Sequence, residues 1–240
     1  MRGPSGFALN ENGPLCKLRA TEFFRQLDAA ALKDFDALQT IAMYQPGAVL
    51  FLEKQKPRGI FVLCDGEVKL SISSIEGKTL TLRIAGVGEI LGLTATLSGG
   101  TCEATAKALR PCRVAFIRGD AFLRFVATHP EAYRGAVTQI IGLYNRACDQ
   151  LRTVGLSTSV PKKLARLLLD RSFNMENAEQ GGPINFSLTH EEIAECIGTC
   201  RESVTRTLSE FKRQRLVTRK GSTLRIHDRS VLEAIGVAGR

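Results

Sequence analysis

Three kinds of hydrophobic spacing succeed one another along this chain. From Ala20 to Ile41 apolar residues return every three or four positions, with Phe23, Phe24, Leu27, Leu32, Phe35 and Leu38 as core candidates. That spacing predicts an amphipathic helix. From about Ala42 to Ile117 the period shortens. "AVLFLE", "GIFVLCDG", "EVKLSISS", "TLTLRIAG" and "RVAFI" are apolar or alternating runs, punctuated by Pro46-Gly47, Asp65-Gly66, Glu76-Gly77 and Gly86-Val87-Gly88. Short strands at regular intervals between turn-forming residues predict a sandwich or barrel. In "SIEGKT", Gly77 can take the positive φ of a tight hairpin turn.

The third pattern is helical again and longer. Tyr133, Val137, Ile140, Tyr144, Ala147, Leu151 and Val154 recur at alternating steps of 4 and 3, while Arg134, Arg146, Asp149 and Arg152 lie off the line. A helix packed on its own β-domain would share much of this pattern. The strict heptad favours a seam between two copies of the chain, roughly 30 Å long at 1.5 Å per residue. "GLSTSV" (155–160) interrupts it and reads as a hinge. Pro161 then suits the first turn of a helix over "PKKLARLLLDRS". "NMENAEQGGPINFS" reads as a polar loop, and a last module begins at Leu188.

In that module Thr189 precedes Glu192 by three positions, a capping-box spacing that opens the short helix "HEEIAECIG". Ile193, Ala194 and Ile197 form its inner face, and Gly198 ends it. Thr199 and Glu202 repeat the capping spacing and predict a second helix, with Val204, Leu208 and Phe211 facing inward. Arg201, Glu202, Thr205 and Arg206 are left on an outer face at its N-terminal end, the end that enters the major groove in a helix-turn-helix. Arginine donates two hydrogen bonds to guanine O6 and N7, and glutamate accepts from cytosine N4. A glutamate between arginines is ill-suited to mere phosphate attraction and well suited to reading bases. "LVTRKGSTLRI" follows as a hairpin turning at Gly221, with Arg219 and Lys220 placed to grip phosphates as a wing. A solvated basic helix pair would share the charges but not the turn glycine, the caps, the buried triad and the wing together.

Composition agrees. The 240-residue chain carries a net charge of +9, which favours an anionic partner, either nucleic acid such as double-stranded DNA or an anionic membrane face. No run of 18 apolar residues predicts a membrane span, and "MRGPSGFALNENGPLCKLRA" lacks the apolar stretch of a signal peptide, so the expected location is the cytoplasm. The seven cysteines form no CxxC pair, and read as packing thiols. The three histidines are scattered, with no HxH or HExxH spacing, so no metal site is expected. The segment 42–117 contains no histidine, which argues against a cupin-like metalloenzyme, and no catalytic constellation stands out.

Over nearly its whole length the chain resembles the CRP/FNR family of bacterial transcription regulators, most specifically in "IGTCRESVTRTL". The resemblance implies an α+β protein: a flexible arm over 1–18, a β-roll sensor like a cyclic-nucleotide-binding domain over 19–130, a dimerisation helix over 131–156, and a winged helix-turn-helix over 157–240. It implies a homodimer that reads a palindromic TGTGA-like site through Arg201, Glu202 and Arg206 and works with RNA polymerase. Cys200 stands where the family often has serine. The effector cassette departs further. Family members that bind cyclic AMP use a glutamate for the ribose and an Arg-Ser pair for the phosphate. Here Leu93 follows Gly92 at the first position, and Glu103 and Ala104 stand at the second. Cys148 and Asp149 occupy the purine-facing positions of the long helix. A carboxylate at the phosphate position repels the ligand and supplies no donor, so ordinary cyclic-nucleotide binding is not expected. Gly88, Gly92, Gly99 and Gly100 keep the cassette's turns, while Leu91, Leu93 and Leu97 make its surroundings apolar. The N-terminal region holds only Cys16, too few for a four-cysteine iron–sulfur cluster, and no cofactor is expected; haem sensing stays open, though no residue identifies itself as an axial ligand. A thiol switch at Cys102, Cys112 or Cys148 stays open beside the packing reading. The competing function is a small-molecule-sensing module whose β-roll is the active part.

Overall fold

The computed structural model describes Leu18, Thr21 and residues 23–156, 159–173 and 184–237. Contacts divide it into two units: residues up to Ile72 with Leu82–Ala147, and Ser73–Thr81 with the chain from Cys148 onward. The expected arm (1–18), apart from Leu18, lies outside the described residues, as does the middle of the expected hinge.

The first helical pattern breaks at Asp28. Its carboxylate accepts from Ala31 N at 2.8 Å and starts α1 (Ala29–Leu38) afresh after a 3-10 turn at Phe24–Gln26. The run to Ile41 is therefore not one helix, and Ile41 belongs to β1 (Thr40–Tyr44). Apolar spacing alone missed the break because Phe23, Phe24 and Phe35 still meet in one aromatic cluster with Phe122 and Phe125.

Seven further strands follow: β2 (Val49–Phe51), β3 (Gly59–Asp65), β4 (Val68–Ser73), β5 (Thr79–Ala85), β6 (Ile90–Leu91), β7 (Thr105–Ala108) and β8 (Cys112–Arg118). They form two four-stranded sheets, ordered β1-β8-β3-β6 and β2-β7-β4-β5. β3 explains the layering. Its apolar run is buried on both faces, as expected of a strand covered on each side. Ile60, Val62 and Cys64 pack with the aromatic helical cluster, while Phe61 and Leu63 pack with Leu70, Ala106 and Val114 between the sheets. At the β4–β5 turn Gly77 has φ +81°, and Ser74 N donates to Lys78 O at 2.9 Å, as the hairpin signal predicts.

Helices α2 (Leu93–Ser98), α3 (Gly119–Thr128) and α4 (Pro130–Leu151) complete the first unit's framework. α4 buries a narrow face of Ala132, Gly135, Ala136 and Gln139, and Gln139 Nε2 donates to Ile90 O at 2.9 Å. Its opposite face leaves Tyr133, Val137, Ile141, Tyr144 and Leu151 exposed. The exposed stripe thus departs from the predicted seam at two positions, Ile140 and Val154, the latter half-buried beyond the end of α4. Ile140 turns half-buried onto the core, and Ile141 takes its place outside. α4 passes into a π-helical turn at Arg152–Leu156.

The second unit contains α5 (Val160–Phe173), β9 (Ile184–Asn185), α6 (His190–Ile197), α7 (Arg201–Arg213), β10 (Val217–Lys220), β11 (Thr223–Ile226) and α8 (Arg229–Val237). α5 buries Leu164, Ala165, Leu168 and Leu169. β9 pairs with β11 where the sequence suggested only loop, giving a sheet ordered β10-β11-β9. Two residues are too few to carry a strand period. Residues 174–183 of the same predicted loop lie outside the described residues.

Candidate nucleic-acid interface and effector pocket

The turn between α6 and α7 is built from its caps. Thr189 Oγ1 accepts from Glu192 N at 3.2 Å, and Thr189 N donates to Glu192 Oε2 at 2.8 Å, a complete capping box. Gly198 closes α6 at φ +62°, and a Cβ there would stand 2.8 Å from Val154 Cγ1. Only glycine fits both the backbone and the space. Thr199 N donates to Ala194 O at 3.0 Å, so Thr199 belongs to this turn. The predicted Thr199–Glu202 cap does not form. Cys200 is the N-cap of α7, with its Sγ 3.2 Å from Ser203 Oγ.

α7 buries Val204, Thr207, Leu208 and Phe211, as the spacing required. Arg201, Glu202, Thr205 and Arg206 are all exposed on its other side. The Glu202 carboxyl is held below the usual carboxylate range by its own backbone N–H, then by the Cys200 side chain and Arg201, and it presents a full negative charge at neutral pH. Thr205 Oγ1 donates to Arg201 O at 2.9 Å and lies 2.8 Å from His190 Nδ1. With the hydroxyl hydrogen committed, His190 Nδ1 is the donor. Burial, then Arg219, Lys212 and Arg201, push the His190 pKa down, so the ring is neutral at pH 7. The sequence reading missed His190, since fifteen positions separate it from Thr205.

In the wing, β10 and β11 turn at Gly221 with φ +60°. Lys220 is exposed. Arg219, expected to grip a phosphate, makes its contacts within the module. Its Nη2 donates to Leu188 O at 2.7 Å, its Nε to Gly221 O at 3.2 Å, and its guanidinium lies 5.8 Å from the Phe186 ring centroid. It ties the wing to the segment that enters α6. Strand parity separates the two residues: Arg219 and Lys220 are adjacent on β10 and point to opposite faces.

The first unit holds a cavity of about 270 Å³. Leu70, Leu82, Ile140, Leu143, Tyr144 and Ala147 give it apolar walls, and Arg83, Thr94, Glu103 and Ala104 complete the lining. Gly92, the left-handed cap of α2 at φ +72°, is not among the lining residues; a Cβ there would stand 3.1 Å from Gly59 O. Arg83 and Glu89 form a close ion pair, Glu89 Oε1 accepts from Gly86 N at 3.2 Å, and Arg146 Nη2 stands 3.8 Å from Glu89 Oε2. Burial lowers the Arg83 pKa and Glu89 opposes that shift.

Among the described residues, no group of three or more His, Cys, Asp or Glu is arranged to hold a metal ion, and no helix is long and apolar enough to cross a membrane. Residues 42–129 match the family model of the cyclic nucleotide-binding domain, and residues 162–235 match that of the Crp-like helix-turn-helix domain. The HTH-type transcriptional regulator Cmr of Mycobacterium tuberculosis is 28% identical over 80% of this chain and 74% of its own length. The CRP-like cAMP-activated global transcriptional regulator of the same organism is 24% identical over 76% of this chain and 81% of its own. The fold matches the structure of FixK2 from Bradyrhizobium japonicum with a TM-score of 0.76 at 18% identity, over 84% of this chain and 99% of that one. The chain belongs to the CRP/FNR family of transcription regulators.

Within this CRP/FNR fold, three residues assigned to the effector pocket by resemblance, Gly92, Leu93 and Cys148, are not among those lining this cavity. Leu93 is 1% exposed and packs in the core with Phe122 and Ile60. An apolar side chain at that helix start turns inward, and Thr94 lines the cavity instead. Cys148 does not line the cavity, whose wall on α4 ends at Ala147. Glu103 and Ala104 do line it, as expected. Arg83 escaped the sequence reading because the alternation of "TLTLRIAG" does not reveal which parity faces the cavity. The cysteines support packing: Cys64, Cys102, Cys112 and Cys196 are buried, and burial pushes the thiols of Cys64, Cys102 and Cys112 up. Cys148 is half-buried and Cys200 is exposed.

Proposed function

We propose that this CRP/FNR regulator acts in the cytoplasm as a homodimer that binds a palindromic, TGTGA-like DNA site and works there with RNA polymerase. One observation carries the reading: α7 exposes Arg201, Glu202 and Arg206 together at its N-terminal end while Val204, Leu208 and Phe211 anchor its other face. The arginines read guanines, Glu202 accepts from a cytosine amine, and Lys220 contacts phosphate. The exposed apolar stripe of α4 supports pairing of two copies, which would set the two reading helices about 34 Å apart on one face of the duplex. The 131–156 stretch then serves as the dimerisation helix between the sensor (19–130) and DNA-binding (157–240) regions.

The signal is not an ordinary cyclic nucleotide, although several relatives are named as cAMP-activated regulators. Glu103 lines the cavity as a carboxylate, and the guanidinium there, Arg83, is already paired with Glu89. A phosphate would meet repulsion from the first and competition at the second. Selection of bound DNA from random oligonucleotides, with and without reductant, tests the reading. The expected product is a palindrome with TGTGA-like arms, recovered equally in both conditions. Failure to enrich any palindrome would refute it.

A further inference from the structure

A second basin opens in the first unit, and it shares no lining residue with the effector cavity. Its volume is about 480 Å³, within the roughly 300–1,000 Å³ range of small-molecule pockets. It lies beside β1 and β2, the edge strands of the two sheets. Aromatic side chains make its floor. Phe51 and Phe61 stand 5.7 Å apart between ring centroids, Phe61 and Phe116 4.9 Å apart, and Tyr44 joins them. Phe61 belongs to the core between the sheets and Tyr44, Phe51 and Phe116 are half-buried against it, so the aromatic lining of the basin is continuous with that core.

The rim is cationic and held in place. Lys56 and Arg58 line it, both exposed and neither in an ion pair with another described residue. Their loop is pinned by backbone bonds: Lys54 N to Cys102 O at 2.8 Å, Cys102 N to Gln55 O at 2.8 Å, and Gly119 N to Arg58 O at 3.1 Å. Lys54 itself is held at φ +65°, a conformation that costs a non-glycine residue energy unless its surroundings enforce it. The nearest acid along the loop, Glu53, faces Lys54 at 4.0 Å.

We infer that this basin binds a small aromatic carboxylate. A planar ring stacks in offset or edge-on geometry on Phe51, Phe61 and Phe116, and the carboxylate accepts a paired hydrogen bond from Arg58 with Lys56 as a second charge. A cation of the same shape would be repelled at the rim.

Indole-3-acetate is a convenient probe, because the chain has no tryptophan and indole emission reports only the ligand. The intact protein should change that emission saturably with a dissociation constant at or below about 1 mM, roughly −4 kcal/mol. Tryptamine, the same ring with an ammonium, should bind at least tenfold more weakly. The double variant Lys56→Ala/Arg58→Ala, with its circular dichroism unchanged, should lose at least tenfold, and Tyr144→Ala in the effector cavity should lose nothing. Equal binding of tryptamine, an unaffected double variant, or loss in Tyr144→Ala would each overturn the assignment. Absence of saturation up to about 5 mM would overturn it as well and leave the basin to a protein segment. None of these outcomes bears on the DNA-reading assignment.

Discussion

Replacing Arg219 by alanine separates two roles that look alike in the sequence. The substitution removes the charged donor of Leu188 O at 2.7 Å, the longer bond to Gly221 O, and the guanidinium beside Phe186. A hydrogen bond from a charged donor contributes roughly 1.5–3 kcal/mol, and a cation over an aromatic ring about 0.5–1 kcal/mol at a half-exposed site. The bond to Gly221 is long and solvent-facing, so it adds little. The expected loss is about 2–4 kcal/mol for the second unit, since Leu188 O is left without this donor in a partly buried place. Urea unfolding followed by circular dichroism would show it as a lower midpoint at unchanged slope. Titration of operator DNA at several salt concentrations supplies the second reading. Arg219→Ala should leave the salt slope unchanged, because no phosphate contact is lost. Lys220→Ala should lower the slope by about 0.9 while changing stability by less than about 0.5 kcal/mol. If Arg219→Ala unfolds at the wild-type midpoint and lowers the salt slope by about 1, the guanidinium grips phosphate and the structural role assigned to it is wrong.

Arg201→Ala and Arg206→Ala should each weaken binding at the selected site by about 1–3 kcal/mol and relax one base position; equal loss on random DNA would remove their base-reading role. Ile141→Asp combined with Leu151→Asp should give monomers in sedimentation, whereas Ile140→Asp should instead lower the thermal stability of the first unit; an intact dimer in the first case would move the interface away from α4. Isothermal titration with cyclic AMP and cyclic GMP should show no dissociation constant below about 10 μM, roughly −7 kcal/mol; tighter binding would mean that Glu103 and Arg83 rearrange to admit a phosphate.

Local signals were legible where one residue's chemistry determines the geometry. The Thr189–Glu192 cap, the left-handed Gly198, the inward Val204, Leu208 and Phe211, and the Gly77 and Gly221 turns all appear as spacing and turn residues require. What escaped was decided by distant parts of the chain. Spacing cannot tell that Asp28 caps a new helix when the phenylalanines on both sides of the break share one cluster. Two-residue strands such as β6 and β9 carry no period. Thr199 has the chemistry of a cap, but the turn bond to Ala194 O claims its backbone. Resemblance brought Glu103 and Ala104 to the lining of the cavity, yet Leu93 obeyed its own apolarity and entered the core. Arg83 and Arg219 share one difficulty: strand alternation says that neighbours diverge, and only the packed sheet says which neighbour faces in.

Ile140 and Ile141 are consecutive on α4, yet one forms part of the cavity wall and the other lies exposed on the stripe. Successive residues on a helix are set about 100° apart, so the two faces are locked together like adjacent teeth on one gear. Tyr144 belongs to both, lining the cavity while 69% exposed. A ligand that turned α4 about its axis to gain room would therefore carry the stripe through the same angle. Enlarging the pocket and keeping the stripe in register are mutually exclusive if the helix turns as a rigid body; accommodation without that cost falls to the side chains of Leu143 and Tyr144.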